Sequence, residues 1–157
     1  DSHFDLPHVA EGLDRLVECD FAPFKALNDL PMGMTAHLVY EALDDRPATL
    51  SHTVMTTIRD KIGFDGLIMT DDISMKALSG TLGDLCRDAL AAGCDVILAC
   101  NGTLADRAQV AEASGVMTPA AMTRAARALA ARTPPDDIDI VDLNAQLETL
   151  LSGQGHD

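Results

Sequence analysis

The sequence predicts an α/β fold built on about three parallel strands with helices outside them, and three observations carry that prediction. Three short apolar runs are continuous rather than alternating, as in strands covered on both faces. Each is followed by a segment with helical periodicity. Of the 157 residues, 47% are hydrophobic and 23% charged, the proportions of a folded domain long enough to bury a core. A β-α repeat of this kind closes as a doubly wound sheet or as a (β/α) barrel. Eight barrel units need about 250 residues, so as a barrel the chain would form the last part.

The elements follow in chain order. The segment from Ala10 to Leu27 reads as helical, and Met32 to Tyr40 (MGMTAHLVY) is the first apolar run. Ser51 is placed to cap a helix reaching about Ile62, with Val54, Ile58 and Ile62 recurring on one face. Gly63-Phe64-Asp65 then signals a turn into the second run, Gly66 to Thr70 (GLIMT). A helix over about Gly83 to Ala92 leads through Gly93 into the third run, Cys94 to Cys100 (CDVILAC). An alanine-rich helix spans about Leu104 to Ala113, and another starts near Thr118-Pro119, with Thr as cap and Pro in the first turn. The expected organisation is therefore a main α/β body over 1–132, a Pro-Pro-Asp-Asp linker over 133–140, an amphipathic helix over 141–151 and a frayed tail over 152–157.

Charge narrows the partners. Eleven Lys and Arg against 25 Asp and Glu give a net charge of −14, a surface that repels phosphate backbones and anionic headgroups, so no nucleic acid and no membrane is expected as a partner. No apolar run approaches the roughly 18 residues of a span, and no leader pattern opens the chain. The first residue is Asp1 rather than Met, which leaves room for an upstream segment. Cys19, Cys86, Cys94 and Cys100 show neither a C-x-x-C pair nor metal-ligand spacing with histidine. They are expected to be buried free thiols in a reducing compartment.

Chemistry in parallel α/β folds sits at the carboxyl ends of strands, where Asp71-Asp72 directly follow the second run. One of the two can equally cap the next helix. Adjacent carboxylates point in different directions, so at most one faces a substrate. In Asp1-Ser2-His3 an extended backbone would put the carboxylate and imidazole on one side, where the acid can orient the ring and raise its pKa. A solvated chain end is the plainer account of that triplet. His37 lies within the first run, near the functional end of a strand, as a core histidine or a substrate contact; His8, His52 and His156 fall in loops or caps. No H-E-x-x-H, phosphate-binding Gly-rich loop or G-x-S-x-G elbow occurs.

Four segments in order resemble one family: Asp-Ser-His-x-x-Leu-Pro at 1–7, Met-Thr-Ala-His-Leu-Val-Tyr at 34–40, Pro-Ala-Thr-Leu-Ser at 47–51 and Gly-Phe-Asp-Gly-Leu-Ile-Met-Thr-Asp-Asp-Ile-x-Met at 63–75. They are similar to the β-N-acetylhexosaminidases of glycoside hydrolase family 3, of the bacterial cell-wall-recycling type. The resemblance runs from Asp1 to about Asn101. It implies the C-terminal portion of a TIM-type (β/α)8 barrel and a retaining mechanism. Asp71 matches the nucleophile, His3 the general acid/base and Asp1 the carboxylate paired with it, a departure from the usual two-carboxylate glycosidase. Asp72 matches a variable neighbour. No metal and no organic cofactor is implied. The implied substrate is an N-acetylglucosamine-containing saccharide or muropeptide, handled in the cytoplasm. The family's Lys-His-(Phe)-Pro-Gly-His-Gly segment and the earlier barrel strands with their sugar ligands are not in this sequence, so the missing N-terminal barrel half is itself an expected partner. Two rivals remain. A receiver-like phosphoacceptor domain would use Asp71 but wants a lysine on a later strand, and none follows Lys76. A non-catalytic barrel fragment would act only with a partner chain.

Overall fold

The structure, a computed structural model, describes residues 4–153. Strand β1 (His8–Val9) precedes a broken helical stretch: α1 (Leu13–Arg15), a wide π-type turn over Leu16–Asp20, and α2 (Ala22–Ala26). Strands β2 (Met32–Met34) and β3 (Val39–Tyr40) are followed by a 3-10 turn (Ala48–Leu50) and by α3 (His52–Thr56), which continues as a π-type segment to Ile62. Then come β4 (Leu67–Asp72), α4 (Leu82–Ala92), β5 (Val96–Leu98), α5 (Leu104–Ser114), α6 (Pro119–Ala130) and α7 (Ile140–Leu151).

All strand pairs among the described residues are parallel. One sheet has the order β2-β4-β5, and a small second sheet joins β1 to β3. The first apolar run is therefore not one strand. It pairs with β4 only as far as Met34, leaves the sheet through Thr35–Leu38, and re-enters pairing beside β1. His37 lies in the bend between β2 and β3, not inside a strand. The second run extends further than expected, so Asp71 and Asp72 are the last two residues of β4 rather than the residues after it. The third run is regular only over Val96–Leu98.

The helix starts follow their caps. Ser51 Oγ accepts from Val54 N and Thr118 Oγ1 from Ala121 N, each satisfying a first-turn amide. Thr103 and Asp106 form a reciprocal capping box at α5. Gly63 ends the π-type segment with a left-handed φ of 78°, a conformation that favours glycine. Gly66 has a different reason to be glycine: a Cβ there would stand 2.6 Å from the Leu30 carbonyl oxygen.

The core lies between the three-stranded sheet and the helices that cross it, built from Met55, Ile62, Ile68, Ile73, Leu85 and Ala89 among others. At the amino-terminal end of β4 and β5, buried Asp95 accepts from Arg59 and Arg124 at 2.9 Å each and from Ile68 N at 2.9 Å. This network ties α6 to the sheet. The cysteines divide: Cys86 and Cys94 are buried as expected, whereas Cys19 and Cys100 are exposed. Cys19 sits in the broken helical stretch and Cys100 beyond the end of β5, so neither is on a covered face. His8, expected in a loop, lies in β1, and the ring of His52 contacts the Ala92 carbonyl oxygen across 3.2 Å.

Candidate active site

The site is built on the carboxyl end of β4. Partners in register share a face of a sheet; Met32 stands opposite Leu67 and Met34 opposite Met69. On that face Met32 and Met34 are 42% and 55% exposed, whereas Ile68 on the other face is in the core. Asp71 is half-buried, and its Oδ1 accepts from the backbone N–H of Asp72 at 2.8 Å.

A register shift sharpens this end of the strand. Met69 pairs with Val96 but Asp72 with Leu98, so β4 carries one residue more than β5 between the same two rungs, a bulge. Thr70 closes the gap, its hydroxyl accepting from Leu98 N at 2.9 Å. The bulge falls between Met69 and Asp72, an interval that includes Asp71, where such irregularities re-aim a side chain.

Asp72 is buried and fully engaged. Its Oδ1 accepts from Ser74 N (3.1 Å), Ser74 Oγ (2.8 Å) and Cys100 N (3.3 Å), and its Oδ2 from Asn101 Nδ2 (2.9 Å). Burial pushes its pKa up, but the Ser74 hydroxyl and N–H, the Asn101 amide and the Cys100 N–H outweigh it and leave the group below its ordinary value. The two carboxylates thus differ in their partners. Asp72 binds the protein and Asp71 is left open.

His37 is completely buried. Its Nδ1 is 2.8 Å from Thr49 Oγ1 and its Nε2 3.0 Å from the Asp72 carbonyl oxygen. Both nitrogens are taken by protein, so the ring presents no surface to a ligand, and the expected substrate contact gives way to a contact with the backbone next to Asp71. Asp1 and His3 lie outside the described residues. Downstream of them, Val39 N donates to the Pro7 carbonyl (2.9 Å) and Glu41 N to that of Val9 (3.0 Å), which lays the segment beside β3.

Two further residues escape the sequence reading. Ser74 follows Asp72 by two positions, an Asx-turn spacing that could have flagged it; Asn101 had no local signal. Two apolar clefts flank the sheet, one including Phe24, Met32 and Ile58, the other Val96, Val110 and Met117, and Asp71 lines neither. Among the described residues no cluster of His, Cys, Asp and Glu could hold a metal ion, and no helix is long and apolar enough to cross a membrane.

Comparison with known proteins bears on this geometry. The family model described as "Glycosyl hydrolase family 3 N terminal domain" matches residues 1–131. A Beta-hexosaminidase of Bordetella pertussis is 34% identical over 154 residues, covering 94% of this chain and 43% of its own length. The crystal structure of native NagZ from Neisseria gonorrhoeae superposes with a TM-score of 0.68 at 29% identity, over 95% of this chain and 42% of that one. NagZ from the same organism in complex with N-trifluoroacetyl-D-glucosamine gives a TM-score of 0.64 at 32% identity, over 82% and 38% of the two chains. The chain thus spans less than half the length of these relatives.

Proposed function

The chain belongs to glycosyl hydrolase family 3, and on that premise we propose that the whole protein removes terminal β-linked N-acetylglucosamine with retention of configuration, on a TIM-type (β/α)8 barrel of which this chain forms the C-terminal part. The observation that carries the reading is the divergence of the two carboxylates: Asp72 is buried with four donors within the protein, and Asp71 stands half-buried at the strand end with the Asp72 N–H as its donor. An ionised Asp71 attacks the anomeric carbon and forms a glycosyl-enzyme. His3, paired with Asp1, protonates the departing oxygen and then takes a proton from the attacking water. An imidazole of ordinary pKa about 6.5 can do both near neutrality without a strongly buried carboxylic acid.

The names of the relatives support the substrate class: Beta-hexosaminidase for the curated proteins, and a glucosamine derivative held by the gonococcal enzyme. Within that class the reading favours muropeptide fragments and a cytoplasmic recycling role, by family likeness alone. The sugar-binding residues are assigned to the remaining N-terminal part of the proposed barrel.

Azide rescue tests the mechanism. With a good leaving group, glycosylation needs little acid, so in the whole protein His3→Ala should slow deglycosylation and let the glycosyl-enzyme accumulate. Added azide should restore turnover and yield the β-glycosyl azide. Wild-type rates in His3→Ala with both good and poor leaving groups contradict the acid/base role, and an α-azide contradicts retention.

A further inference from the structure

We propose that His37 is a positioning residue for Asp71, acting by holding the backbone of residue 72; this rests on the reading of Asp71 as the nucleophile. The need for it arises from the topology. Thr35 N makes the last backbone bond from the β2 side, to the Met69 carbonyl at 2.9 Å, after which the chain leaves the sheet. The Asp72 carbonyl, one rung further along β4, has no strand beside it to donate an N–H. The His37 ring supplies that donor from Nε2, at 3.0 Å, within a fully buried site.

The direction of the bond to residue 72 follows from what each atom can do. A carbonyl oxygen only accepts, so Nε2 carries a hydrogen. Nδ1 lies 2.8 Å from Thr49 Oγ1, which lies 2.8 Å from Thr35 Oγ1 and donates to the Ala36 carbonyl at 3.2 Å. The chain Thr35–Thr49–His37 fixes the orientation of the fully buried ring.

Its target is the residue that aims Asp71. The peptide joining residues 72 and 73 is held from both sides: its carbonyl by His37, its N–H by the Leu98 carbonyl at 2.9 Å. The preceding N–H of residue 72 is the donor to Asp71 Oδ1. Rotation of residue 72 would swing that donor and the carboxylate it orients. A misplacement of 1 Å at such a group costs about 100-fold in rate, so a ring that never meets substrate can still govern turnover.

The test compares three variants of the whole protein on an aryl β-N-acetylglucosaminide. The side-chain amide nitrogen of Gln reaches about as far as Nε2, so His37→Gln keeps the donor to Asp72. His37→Asn reaches only as far as Nδ1, and His37→Leu keeps neither contact. We expect His37→Asn and His37→Leu to lower kcat by about 10- to 100-fold with KM nearly unchanged, and His37→Gln to recover most of the loss. Wild-type kcat in folded His37→Asn or His37→Leu overturns the proposal. So does a rise in KM at constant kcat, the mark of a substrate contact. Asp71→Ala in the same assay separates the two readings: an active Asp71→Ala removes the nucleophile assignment, whereas an inactive one beside a fully active His37→Asn removes only the positioning role. If the variants do not fold, nitrogen NMR of the wild-type protein decides. A proton on Nε2 of His37 is expected, and a bare Nε2 overturns the proposal.

Discussion

Asp71 and Asp72 show what one step along a strand does to two identical side chains. The one is left to its own backbone neighbour; the other accepts from four donors. Asp71→Ala should abolish turnover of an aryl β-N-acetylglucosaminide by the whole protein. Asp72→Asn should leave much more activity, because Oδ1 still accepts from Ser74 and Cys100 and only the Asn101 contact turns into two facing donors. Steady-state kinetics on the two variants checks the order. Acid stability gives an independent handle on Asp72. Its folded pKa is depressed, so its stabilising contribution is present above the ordinary carboxylate value of about 3.9 and fades as pH falls through the lower folded value. Asp72→Asn removes that contribution. Urea unfolding from roughly pH 7 to about pH 3 should therefore show the variant losing less stability than the parent in the acid limb. Strand alternation predicts that the two point apart, but the bulge between Met69 and Asp72 interrupts alternation at this pair, and what separates them is the set of donors around Asp72. The burial of His37 was not legible in the sequence: within MGMTAHLVY nothing marks where the chain leaves the sheet, and its partners Thr49 and Asp72 are 12 and 35 residues away. The exposure of Cys19 and Cys100 escaped for a related reason, because a thiol reads as apolar whichever side of its element it is on.

At the scale of elements, helices were more legible than strands. Ser51, Thr103 and Thr118 cap where hydroxyl chemistry puts them, and α4, α5 and α6 begin within a residue or two of expectation. The wide turns over Leu16–Asp20 and Thr57–Ile62 keep helical spacing on one face, so periodicity alone cannot separate them from regular helix. The bulge in β4 depends on a register with β5, a relation between distant segments. The junction of α6 with the sheet also lay beyond local pattern. Asp95 is buried between Arg59 and Arg124, which are themselves mostly covered, while the outer Asp65 pairs with Arg124 and Arg127 at the exposed rim. Asp95→Ala leaves the mostly covered Arg59 without its carboxylate and Arg124 with only the exposed Asp65, and should destabilise the fold by about 3–5 kcal/mol. Asp65→Ala should cost no more than about 1 kcal/mol, as exposed pairs do. Urea denaturation of both variants measures the difference.

For the molecule as a whole, the uncovered surfaces are the informative ones. Among the described residues β2 and β5 each have a single neighbour in their sheet, so each offers an unpaired edge. Met32 and Met34 on β2, and Leu143, Leu147 and Leu150 on α7, are exposed. The chain of 157 residues spans 43% of its Bordetella relative, and in the proposed barrel the remaining part would cover these surfaces. Expressed alone, residues 1–157 should be insoluble or folded without measurable hexosaminidase activity, and co-expression with the upstream half of the barrel should restore it. Appreciable turnover by the purified monomer contradicts the incomplete-barrel account. The central claim, that Asp71 carries the sugar between the two steps of a retaining reaction, is tested most directly by covalent trapping. The whole protein is incubated with a 5-fluoro N-acetylglucosaminyl inactivator and the labelled peptide is sequenced by mass spectrometry. A single glycosyl adduct on Asp71 is expected; an adduct on Asp72, or on no carboxylate at all, would contradict that role.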